Sequence, residues 1–69
     1  MAVAGSMTTA YSLQMNGDVL RADRTTYPSD RCTPPDVAVE RLRNWKADST
    51  PPIVQGSDMA TFWRLWEAR

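Results

Sequence analysis

The sequence contains no histidine and a single cysteine, Cys32, among its 69 residues. Without histidine the commonest general base at neutral pH is missing, which removes Ser/His/Asp and Cys/His triads and the usual zinc sites. A lone cysteine excludes an internal disulfide. Glycine is also scarce, and Gly17 and Gly56 are isolated turn candidates, so no phosphate-cradling loop is present. No apolar run approaches the roughly 20 residues that cross a bilayer. The N-terminus lacks the basic start and long apolar stretch of a signal peptide. Acidic and basic residues cancel at 8 each, so no whole-molecule field steers the chain toward nucleic acid or an anionic membrane. The expectation is a cytoplasmic chain that is not an enzyme, with no cofactor, metal site or membrane partner and no assignable catalytic residue.

What is present is enough for one small core. A chain of this size buries only about 60% of its unfolded surface, and with disulfides and zinc removed, oligomerisation is the stabilising device left open. Residues 1 to 6 read as a vector-derived leader, because Gly5-Ser6 before Met7 is a common cloning remnant. Residues 7–69 then form a single α+β domain.

Alternation over Tyr11 to Met15, the hairpin signal Asn16-Gly17, and a second alternating run from Asp18 to Ala22 predict a β-hairpin. A type I′ turn at Asn16-Gly17 would set Leu13 opposite Leu20 and Tyr11 opposite Ala22, placing all four on one face. The polar stretch from Asp23 lets the second strand run on to Thr26, and Tyr27 to Asp30 reads as a turn.

The central helix is expected to start near Thr33, with Thr33 as N-cap and Asp36 completing a capping-box-like pair; Pro34 and Pro35 are tolerated in the first turn, with Pro35 the better first residue. Ala38, Leu42 and Trp45 form its inward stripe, Val39 lies at the edge, and Glu40, Arg43 and Asn44 face outward. Pro51-Pro52 stops helix propagation. Ile53 to Gln55 is a short third strand or extended segment, and Gly56 to Asp58 supplies a turn and an N-cap. Met59, Phe62, Trp63 and Trp66, at i, i+3, i+4 and i+7, then define an amphipathic C-terminal helix, with Leu65 off the stripe. Both helices are expected on one face of the sheet.

Few residues suggest chemistry. Cys32 lies before a helix start and beside Arg31, which would favour a reactive thiolate, but a hydrophobic staple with Val37 accounts for the same position and is preferred. The aspartates sit mostly in turns or caps, where they serve the backbone. A helix-turn-helix is not expected, because the connection between the helices is long and contains Pro51-Pro52. Seven arginines against one lysine, Lys46, are read as coding bias, and the acidic residues interleaved with them point to a solvated mixed surface rather than a basic face.

Three tryptophans with Phe62 are many rings for so small a core. The preferred account is that Trp45, Phe62, Trp63 and Trp66 fill one core beneath the hairpin; the overlapping alternative makes Trp45, Phe62, Trp63, Leu65 and Trp66 the interface for a protein partner or for self-association as a homo-oligomer, centred where Trp45 meets the terminal helix. The resulting expectation is a small non-enzymatic interaction module, of a kind that suits an accessory or inhibitor protein of a bacterium, phage or mobile element. The alternative is a weak nucleic-acid-binding module using Arg21, Arg24, Arg41, Arg43 and Lys46.

Overall fold

A computed structural model describes residues 6–68. Two alternating segments pair as the antiparallel strands β1 (Met7–Asn16) and β2 (Val19–Pro28). The register differs from the expected one: Asn16 pairs with Val19, Met15 with Leu20, Leu13 with Ala22 and Tyr11 with Arg24. The two-residue turn is thus Gly17-Asp18. Gly17 has φ +66° and no non-glycine residue among those described has positive φ, which matches a type II′ turn with glycine first. A type I′ turn at Asn16-Gly17 would have forced Asn16 into the left-handed region, whereas the observed turn asks this only of glycine. The shift moves each partner by two positions, so Tyr11, Leu13, Leu20 and Ala22 still share one face, and Met15 joins them opposite Leu20.

The hairpin is longer than its core section requires. Ser29 donates its N–H to Ser6 O at 2.8 Å, extending the ladder by one more pair and bringing into the sheet a residue expected to belong to the leader. Residues 1–5 of that leader lie outside the described residues. The expected turn at Tyr27 to Asp30 begins later, since β2 runs through Pro28 into a single helical turn at Ser29–Arg31. Pro28 is tolerated because β2 is an edge strand and Pro28 falls where an N–H would point away from β1.

Ile53–Gln55 forms β3, antiparallel to the other side of β1, with Tyr11 opposite Val54, so the strand order is β2-β1-β3. Leu13 N–H bonds Pro52 O at 2.9 Å, and Thr33 N–H bonds Ile53 O on the outer side of β3.

Helix α1 (Pro35–Arg43) begins with Pro34 at the N-cap and Pro35 at N1, whose fixed φ suits the first turn. No side chain caps it. Thr33, expected to be the cap, is instead buried and uses its N–H on β3. The capping box with Asp36 therefore does not form. The helix also ends sooner than expected, at Asn44, whose backbone N–H and Nδ2 both donate to Glu40 O at 3.2 and 3.1 Å. Helix α2 (Met59–Glu67) follows a single helical turn at Gly56–Asp58, with Asp58 at the N-cap position but no side-chain bond.

Leu13 and Val54 from the sheet, Ala38, Val39 and Leu42 from α1, and Phe62 from α2 make the core, with Tyr11, Met15, Leu20, Met59, Leu65 and Trp66 packed around it. These strand residues all lie on one sheet face, so both helices cover that face. Val39 is buried rather than marginal. On α2 the inward set is Met59, Phe62, Leu65 and Trp66, and Trp63 is 38% exposed. The stripe is rotated from the expected one: Phe62 is fully buried at its centre, Leu65 and Trp66 pack against the core beside it, and within the helix Phe62 stacks on Trp66 with centroids 6.1 Å apart and turns its edge to Trp63. No helix among the described residues is long and apolar enough to cross a membrane.

Candidate interaction surface

The most informative residue for function is Trp45. Its N–H bonds Leu42 O at 3.2 Å, one residue beyond the Asn44 cap, so the chain has already left the helical path and the indole does not continue the Ala38, Leu42 stripe. Trp45 is half-buried and lies outside the core cluster. It stands as the common wall of two grooves. One, of about 420 Å³, is lined by Glu40, Arg41, Asn44, Ser49 and Thr50. The other, of about 240 Å³, is lined by Gln14, Met15, Asn16, Arg21 and Ala47 at the hairpin end.

The fold builds this ridge from local rules. Asn44 closes α1 with its own side chain; the turn from Lys46 to Ser49 is held by Ser49 N–H on Lys46 O at 2.9 Å. Pro51-Pro52 then leads the loop back to β1, where Pro52 O takes the Leu13 N–H. Because β3 pairs only with Ala10 to Ser12, that edge of β1 is free of strand beyond Leu13, and the second groove occupies the space.

The anticipated interface residues do not form one patch. Trp45 faces the hairpin end and the following loop rather than α2. Phe62 is fully buried and offers no surface to a partner. Leu65 and Trp66 pack against the core, leaving Trp63 as the exposed ring of α2.

The anticipated arginines also divide. Arg21 and Arg41 lie on the two sides of Trp45. Arg24 sits on the outer strand opposite Tyr11, and Lys46 lines neither groove. Arg43 reaches across to the end of α2, donating from Nη2 to Leu65 O at 3.4 Å and Trp66 O at 3.3 Å, with its guanidinium 5.7 Å from the Trp66 ring centroid. A cation there satisfies terminal carbonyls and complements the helix dipole, so Arg43 ties α1 to α2.

Cys32 is half-buried in a third groove with Thr33, Pro34 and Asp58, and its thiol donates to Pro28 O at 3.9 Å. It forms no staple with Val37: the cap at Pro34 places Cys32 one position too early, and Val37 is 37% exposed. Among the described residues no group of three His, Cys, Asp or Glu is placed to hold a metal ion.

Sequence reasoning missed Asn44, Ser49, Thr50 and Ala47 as lining residues. The available signal was an asparagine ending a helix ahead of a proline-bounded polar loop, which should have moved Trp45 out of the helix stripe. Compared with known proteins, the chain matches no family model, no curated protein and no solved structure.

Proposed function

We propose that the protein is a small non-enzymatic interaction module that binds a segment of another protein along the Trp45 ridge. The observation that carries this reading is a large ring the core does not use, walling two grooves, with Glu40, Arg41 and Asn44 on one side and Arg21 on the other. An apolar wall with a few convergent polar groups is the usual composition of a recognition groove, and tryptophan and arginine are the residues that most often carry binding energy. An accessory or inhibitor role suits a chain of this size and chemistry.

Selection against a random peptide library tests the reading. Selected peptides should bind the wild type and lose about tenfold or more in affinity to Trp45→Ala, the size of effect expected for a binding hot spot. Circular dichroism should stay unchanged, since Trp45 lies outside the core cluster. Failure to select any binder, or binders indifferent to Trp45, would overturn it.

One observation favours a second reading. Arg21 from the hairpin and Arg41 from the central helix flank Trp45, an arrangement that suits a stacked base between two phosphate contacts. Binding of a labelled single strand that falls steeply with salt and is lost in Arg21→Ala or Arg41→Ala would support it, and no binding at low salt rejects it.

A further inference from the structure

β2 is a ten-residue strand with one side unpaired, and every residue from Arg21 to Thr26 is exposed. Which of its backbone groups face outward follows from two hydrogen bonds. Leu13 N–H points to β3, so in an antiparallel strand the odd residues of β1 turn their backbone polar groups to β3 and the even ones turn theirs to β2. The bond from Ser29 N–H to Ser6 O continues the same alternation from the β2 side. The partners of even β1 residues are odd β2 residues, so Leu20, Ala22, Arg24 and Thr26 present their N–H and C=O groups to the open edge. The ten pairs run without a bulge, and Pro28 interrupts the outward row only at its end. The usual devices that blunt an edge are absent from Leu20 to Thr26 apart from charge.

A second copy fits the charges in one register best, since centring on Leu20 or Thr25 forms no ion pair at all. If a second copy adds its own β2 antiparallel about a two-fold axis, outward residues must meet outward residues, which restricts the centre of pairing. Centring on Arg21 sets Arg21 against Arg21, centring on Asp23 opposes two aspartates, and centring on Arg24 opposes two arginines. Each of these places like charges directly opposite and is disfavoured. Centring on Ala22 places the smallest side chain at the axis, Arg21 of each copy opposite Asp23 of the other, and Leu20 opposite Arg24. The two ion pairs are reciprocal, as a two-fold requires, and fall at non-hydrogen-bonded positions where side chains approach most closely.

We infer that two copies of this chain join through their β2 edges, centred on Ala22, into one six-stranded antiparallel sheet with all four helices on the same face. A 69-residue chain without disulfides gains most from such a partner. This goes beyond the Trp45 reading and does not depend on it.

Sedimentation equilibrium on the full chain over a wide concentration range tests the assembly. The wild type should show a concentration-dependent dimer. Ala22→Pro removes an outward N–H at the axis and should give a folded monomer, because proline is tolerated on the solvent side of an edge strand. Asp23→Arg and Arg21→Asp each put like charges opposite at two symmetric positions and should weaken dimerisation about tenfold or more. The double exchange Arg21→Asp with Asp23→Arg restores opposite charges and should recover the dimer, a result that damage to the fold would not give. A wild type that stays monomeric at every concentration overturns the proposal, as does a dimer that survives Ala22→Pro, or a double exchange that dimerises no better than the single variants. Peptide binding by Ala22→Pro distinguishes the two readings: a monomer that still binds at Trp45 has lost only the edge contact.

Discussion

Single residues in this chain often serve a purpose other than their local pattern implies. Thr33 has the position of a helix cap, yet its burial and its N–H on Ile53 make it part of the outer edge of β3. Thr33→Val should therefore cost well under the ~1 kcal/mol of a lost cap, measured by urea denaturation. Arg43 has the position of an exposed helical cation, yet it closes α2 and lies over Trp66. Arg43→Ala should destabilise the fold by about 1 kcal/mol, and Arg43→Lys should recover only part of that, since a point charge loses the planar contact. Phe62 is the anchor of the core, and Phe62→Ala should cost about 3–5 kcal/mol, enough to leave so small a domain largely unfolded in a thermal melt.

At the scale of elements, the hairpin shows how pattern and turn chemistry share the work. Alternation placed Tyr11, Leu13, Leu20 and Ala22 on one face under either turn, because a shift of two positions preserves the faces. The choice between turns was made by which residue must take positive φ. Gly17→Ala should cost about 1 kcal/mol or more from left-handed strain, with open space around the added Cβ. Asn16→Ala should be nearly neutral, within about 0.5 kcal/mol, whereas a type I′ turn would have made Asn16 the sensitive position. Chemical denaturation of the two variants side by side checks this. The helices were legible in number and order, but their inward faces were less so. Trp63 fits the α2 stripe by spacing, yet Leu65 takes the inward place: Phe62 is fully buried against the core, and Arg43 of α1 bonds the carbonyls of Leu65 and Trp66.

At the scale of the whole molecule, the core is a single layer of apolar side chains between one sheet face and two short helices, within extents of 44 × 26 × 17 Å. The hairpin makes the molecule long, and β3 supports it only near Ala10 to Ser12. Such a domain sits at the low end of the ~5–15 kcal/mol range of native stability. If β2 edges pair, dimerisation adds to this by mass action, so the melting temperature should rise with protein concentration for the wild type and stay constant for Ala22→Pro. Scanning calorimetry at two concentrations reads the difference directly.

The α+β class, the hairpin with its shared apolar face, the order of the elements and the dependence of the fold on Leu13, Ala38, Leu42 and Phe62 are all legible in the order of the amino acids. These follow from period, turn chemistry and side-chain size, which act over a few residues. The hairpin register and the end of α1 at Asn44 turned on local chemistry that alternation leaves open, whereas the exposure of Trp63, the place of Thr33 on β3 and the position of Trp45 between two grooves came from packing between distant segments. The latter are set by partners distant in sequence: Leu13 and Thr33, whose N–H groups bond Pro52 O and Ile53 O, draw the loop back to the sheet, and Arg43 of α1 bonds the carbonyls of Leu65 and Trp66 at the end of α2.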